Sequence, residues 1–188
     1  MIPMNSYISS YLEEHIDTID RLYFNPTERE HIEEAAQVLI DAFQSGRQLL
    51  ICGNGGSAAD AQHFAAELVP MGLPVIALTT DSSILTSIGN DADFSKIFST
   101  QVKAYGQVGD VLLGISTSGK SVNVRLALAQ AQLQCLATIA LTGSAGIIGA
   151  SANPNITIKV PSTNTQHIQE AHITIIHLLW QLIQTNLG

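Results

Sequence analysis

Leu49-Leu50-Ile51-Cys52-Gly53-Asn54-Gly55-Gly56-Ser57-Ala58-Ala59-Asp60-Ala61-Gln62-His63-Phe64-Ala65-Ala66-Glu67-Leu68 sets the frame for the whole chain. The apolar run at its start reads as a buried strand. Three glycines then permit a tight turn in which the backbone approaches a ligand closely. Ser57 followed by Asp60 reads as a helix N-cap signal. On the helix so begun, His63 and Glu67 are four residues apart and share a face. Strand, glycine turn and helix together form one unit of an α/β fold, and the turn with the His/Glu pair makes half of an active site.

Outward from this unit the pattern repeats. Apolar, strand-like runs occur at 48–52, 74–79, 110–115, 136–142 and 155–160. Helix-like segments lie between them at 57–69, about 82–104 with a break near Gly89, 121–134 and a short piece at 146–151, and a last helix covers 165–187. Continuous apolar strands separated by helices predict a parallel sheet covered on both faces. Right-handed crossovers give a three-layer αβα sandwich with a five-stranded, flavodoxin-like sheet. Two helices come first. One is amphipathic over 5–22, and the other, opened by a capping-box pattern at Thr27 and Glu30, stops at Gly46. The expectation is a single domain over 1–188, with helices at 1–46 that pack between subunits and an α/β core at 47–188.

Composition narrows the function. A net charge of −8, with only 8 Lys and Arg, argues against nucleic acid or an anionic membrane as partner. No stretch approaches a membrane span of about 20 apolar residues, and no charged-then-apolar leader opens the chain. The cytoplasm is the expected compartment. Cys52 and Cys135 each lie in or beside an apolar run and read as buried small hydrophobes rather than a disulfide.

Ligands in such folds bind at the carboxyl ends of the strands. Three loops are candidates there: 53–57, Gly89-Asn90-Asp91, and Gly114-Ile115-Ser116-Thr117-Ser118-Gly119-Lys120-Ser121. The last matches the nucleotide P-loop pattern G-x-x-x-x-G-K-[ST] letter for letter. Its first glycine, however, falls inside a predicted strand, and no strand end offers an obvious Asp for Mg²⁺. Its hydroxyls, Ser116, Thr117, Ser118 and Ser121, together with the N–H groups of the following helix, suit a sugar phosphate without metal. A hydroxyl-rich capping turn with no ligand is the bland alternative. The last helix carries Gln169, Glu170, His172 and His177. Gln169 and His177 are eight residues, about 12 Å, apart along a helix. They reach one point only if the first turn is distorted or if they act from different subunits.

These five pieces in order resemble the SIS (sugar isomerase) family and, within it, the sedoheptulose 7-phosphate isomerases, over nearly the whole chain. The resemblance implies ketose–aldose isomerisation of sedoheptulose 7-phosphate to D-glycero-D-manno-heptose 7-phosphate through an enediol, at the head of heptose supply for lipopolysaccharide or another surface polysaccharide. It implies a homotetramer with active sites at subunit interfaces and no nucleotide cofactor. By the same resemblance, Ser116, Thr117, Ser118 and Ser121 hold the phosphate. Asn54, Gly55, Gly56, Ser57, Asn90 and Asp91, with Glu67 and Gln169, line the sugar site. His63, Glu67, Gln169 and His177 match positions that hold one zinc ion per subunit, and Glu67 and His177 match the acid/base pair. The chain departs from the family pattern in two places. Val69 to Pro74 runs almost directly into the next strand where a longer Arg-containing loop is usual, and His167 stands where Arg is frequent. Some family members are instead tetrameric adaptors for the bacterial replication initiator. In those the Glu and His positions tend to be substituted, whereas this chain keeps both.

Overall fold

Strand β1 (Leu49–Gly53) is an inner strand of the sheet, with all five residues buried. The computed structural model describes residues 4–149 and 152–188. The other strands are β2 (Val75–Ala77), β3 (Val111–Ser116), β4 (Ala137–Thr142) and β5 (Ile156–Lys159). All pairings are parallel and the sheet order is β2-β1-β3-β4-β5. The order reverses between β1 and β3, so the loops leaving these two strands diverge to opposite faces and open a crevice at their carboxyl ends.

Alternate residues of each strand serve opposite faces. Leu49, Ile51, Leu113, Ile115, Ile139 and Leu141 pack against the helices of one layer: α2 (Pro26–Gln44), α3 (Gly56–Leu68) and α7 (Thr165–Leu187). Leu50, Cys52, Leu112 and Ala140 pack against α5 (Ile97–Tyr105) and α6 (Val122–Leu133) on the other. Helix α4 (Ser82–Asp91) buries no residue fully but packs Leu85 and Ile88 against the rim of this second layer. The expected three-layer sandwich with five parallel strands is therefore the observed one.

Helix α1 (Met4–Tyr23) fully buries only Thr18 and Leu22. Tyr7, Ile8, Leu12 and Ile16 recur at helical spacing and are all exposed. No described helix is long and apolar enough to cross a membrane.

Several local expectations are corrected. The cap of α2 is Asn25, whose side chain accepts from the N–H of Thr27 and Glu28, with Pro26 in the first turn; Thr27 does not cap. Helix α3 begins at Gly56 after Gly55 (φ +56°), so Ser57 is a buried first-turn residue and not the cap. The break after α4 falls at Ala92 and Asp93, not at Gly89, because Asp93 turns the chain with its carboxylate on the N–H of Ser95. No helix forms over 146–149, and the rest of the short helix expected there lies outside the described residues. Cys52 is buried as expected, but Cys135 is exposed, in a turn at φ +60° before β4.

Candidate active site

The crevice between β1 and β3 is closed at its base by an amide pair. Asn54, just beyond β1, and Asn123, in the first turn of α6, exchange side-chain hydrogen bonds of 2.9 and 2.8 Å. Asn123 also accepts from the N–H of Val124 and is buried. Sequence reasoning picked out Asn54 and missed Asn123. The two lie far apart in the chain, and only the sheet order brings them together.

On the β3 side, Ser116 ends the strand and donates from Oγ to Ser121 Oγ at 3.0 Å. The Lys120 N–H donates to Ser118 Oγ. Ser121 precedes α6 and its side chain does not cap the helix. Asn123 takes the N–H of Val124, which leaves the N–H groups of Val122 and Asn123 at the helix start beside the hydroxyl loop. The loop is held from outside. The N–H of Gly143 donates to the Thr117 carbonyl and that of Ile148 to the Gly119 carbonyl. A cleft of about 240 Å³ runs from Thr117, Ser118 and Lys120 to Ser144, Ser162 and Thr163. Gly114 pairs between Cys52 and Ala140 in mid-sheet, where Val124 and Leu128 leave no room for a side chain. The first glycine of the P-loop pattern is therefore a packing residue, and the nucleotide interpretation loses its basis.

The third group stands on two neighbouring helices. His63 Nε2 and His177 Nε2 are 3.0 Å apart, and His63 Nε2 is 3.5 Å from Glu67 Oε1. One donor atom from each of the three side chains lies within 4.8 Å of the others, a His₂Glu set that fits a divalent metal with a position left open. The Gln169 amide lies against Gly56, at the start of the same helix as His63 and Glu67, filling the space a side chain there would need. Two contacts in the same order, Gly56 with Gln169 and His63 with His177, show that α3 and α7 run side by side in one direction. The group is open on one side, with the His63 and Glu67 side chains 42% and 34% exposed.

Asp60 stands one turn before His63. Burial pushes its carboxyl up to about 6, with His63 pulling the other way, and its Oδ2 has no hydrogen-bond partner. Asn90 and Asp91 are in the last turn of α4 rather than in a loop, exposed and bonded to each other. His172 is buried in α7, its basicity lowered by desolvation to about 4, with the Thr142 backbone opposing.

Comparison with known proteins gives this geometry a family. Residues 10–143 match the SIS domain model. The chain is 52% identical over 163 residues to the phosphoheptose isomerase of Citrifermentans bemidjiense, covering 83% of this chain and 84% of that protein. It is 45% identical over 190 aligned positions to that of Trichlorobacter lovleyi, covering 98% and 95%. Among solved structures, the phosphoheptose isomerase of Neisseria gonorrhoeae superposes with a TM-score of 0.89 at 40% identity, over 97% of this chain and all of that one. The enzyme from Francisella tularensis gives 0.87 at 37% identity, over 98% of this chain. The chain is therefore a member of the SIS-domain phosphoheptose isomerase family.

Proposed function

We propose that the protein isomerises sedoheptulose 7-phosphate to D-glycero-D-manno-heptose 7-phosphate. The observation that carries the reading is the meeting of His63, Glu67 and His177 in a fold whose switch-point crevice also holds a hydroxyl-rich loop. The phosphate is held by Ser116, Thr117, Ser118 and Ser121 and by the N-terminal N–H groups of α6. The sugar lies toward Asn54, Gly55, Gly56, Ser57 and Gln169, with Asn90 and Asp91 at its margin.

Glu67 removes the proton from C1, the hydroxymethyl carbon beside the C2 carbonyl, giving an enediol. His177 moves the hydroxyl proton between the oxygens on C1 and C2. Return of the carbon-bound proton to C2 leaves the carbonyl on C1, so the reaction is redox-neutral overall. His63, Glu67 and His177 would hold zinc, which supplies Lewis-acid polarisation of the two oxygens. Gln169 would be the fourth ligand, from the same subunit or from a second one; its amide lies against Gly56, at the start of the helix that carries His63 and Glu67.

Two features support an oligomer with shared sites. The His–Glu group is open to water, which an enediol must be shielded from, and α1 presents an unpartnered apolar stripe. Tetramer formation through residues 1–46 covers both. A charged sugar phosphate does not cross membranes, which fits reaction in the cytoplasm. Turnover of sedoheptulose 7-phosphate by Glu67→Gln and His177→Gln is expected to fall by about 10²–10⁴-fold. Wild-type rates in both variants would sink the assignment.

A further inference from the structure

A second His–Glu group lies away from the one described, where α1 meets α7. His15 Nδ1 is 2.8 Å from Glu170 Oε2, and His167 Nδ1 is 3.0 Å from the same oxygen. One donor atom from each of the three lies within 4.8 Å of the others. We propose that His15, His167 and Glu170 form a second divalent transition-metal site, of the zinc type, that fastens α1 to the body of the subunit.

Four observations carry this beyond an ordinary polar cluster. The first is angular. His15 Nδ1 is buried and at hydrogen-bonding distance from Oε2, yet its direction misses the oxygen and it makes no hydrogen bond. His167 Nδ1 does hydrogen-bond to Oε2, so of the two rings His15 alone is turned off the oxygen, as a ligand aimed at a shared ion would be. Donors about 2.0–2.1 Å from zinc in a tetrahedron sit about 3.3 Å apart, a few tenths of an ångström wider than here.

The second is the supporting shell. The His167 ring is only 1% exposed, and its other nitrogen, Nε2, faces Glu14 Oε2 at 3.4 Å. Nε2 makes no hydrogen bond at that distance, and a small turn of the Glu14 side chain would supply the carboxylate partner that orients ligating histidines. Tyr11 donates from its hydroxyl to Glu170 Oε1 at 2.6 Å, which fixes the carboxylate and turns Oε2 toward the two rings. The third is access. A cavity of about 290 Å³ opens beside the group; Arg21 and Asp17, 3.6 Å apart, line it together with Glu14, Asn164 and His167, and Glu14 is the carboxylate a cation would meet next to His167.

The fourth is need. From Met4 to Asp17, α1 fully buries no side chain. Its attachment to α7 in this stretch rests on Tyr11, Glu14 and His15. A bridging ion would hold the helix that the exposed stripe uses for assembly. His₂Glu leaves one position, for water or Glu14.

The test separates this site from the first by stoichiometry. Full-length His63→Gln/His177→Gln protein, stripped with chelator and titrated with Co²⁺, is expected to bind one ion per chain with the intense visible absorption of tetrahedral cobalt. Binding is expected to raise its melting temperature. Adding His15→Asn or Glu170→Gln is expected to abolish the absorption and the thermal shift together. The proposal is overturned if the His63→Gln/His177→Gln chain takes up no Co²⁺. It is overturned equally if uptake survives both added substitutions. A variant that melts lower without metal but still binds one equivalent counts against it too, since that is the behaviour of a hydrogen-bonded network alone.

Discussion

Gly119 shows how much of the hydroxyl-rich loop depends on a missing side chain. Its φ is +64°, and a Cβ there would overlap the carbonyl oxygen of Gly146. The left-handed backbone alone costs an ordinary residue about 1–3 kcal/mol, and the overlap forces residues 143–149 off the loop. Gly119→Ala is therefore expected to lower the stability measured by urea unfolding by at least that amount and to raise KM for the sugar phosphate. Unchanged values for both would show that the outer loop does not brace the site. Residue types that carry their chemistry locally were readable in the sequence: the hydroxyls of 116–121, and His63 with Glu67 one helical turn apart. Asn123 was not, because its significance lies in a partner 69 residues away. Gln169 could be placed beside Gly56 only once α3 and α7 were seen side by side.

At the level of elements, the strands were legible because burial on both faces makes each one an unbroken apolar run. β2 is the exception: it contracts to three residues at the sheet edge, where Ile76 is partly exposed and the run from 74 to 79 need not all pair. Helix ends were less legible: Asn25 and Asp93 cap with their side chains and Gly55 turns through a left-handed backbone, and several neighbouring residues of each stretch could have filled those roles. Helix α1 is the element with a surface still to cover. Ile8→Glu combined with Ile16→Glu places charge in the exposed stripe without touching Thr18 or Leu22. Sedimentation velocity is expected to show dissociation toward smaller species, with helical content nearly unchanged. A tetramer that survives both changes would place the interface elsewhere.

For the molecule as a whole, two buried groups set opposing responses to acid. Asp60 rises from 3.8 to about 6 on folding, chiefly by desolvation, so its ionisation destabilises the fold as pH climbs through that window. His172 falls from 6.5 to about 4, again chiefly by desolvation, so the unfolded chain takes up a proton first and stability is lost as pH drops through nearly the same window. The two effects oppose, and wild-type stability is expected to vary little between about pH 4 and 6 from these groups. Asp60→Asn unmasks the histidine, giving a loss of up to about 1.4 kcal/mol per pH unit on acidification. His172→Leu unmasks the carboxylate and reverses the sign. Melting curves across that range decide it, and parallel slopes in all three proteins would contradict it. Neither group was singled out in the sequence for its titration, because burial is a property of the packed layers and not of the residue. The same packing divides the two thiols. Cys52 is wholly enclosed in β1 and its thiol is pushed up to about 12, whereas Cys135 is exposed before β4, at the end of the sheet opposite the crevice. Native protein treated with iodoacetamide is expected to gain one carbamidomethyl mass per chain and the denatured protein two, with turnover unaffected by the first. A fluorophore coupled through maleimide at Cys135 would then report on tumbling and assembly from a point remote from the chemistry, with no cysteine needing to be engineered in or out.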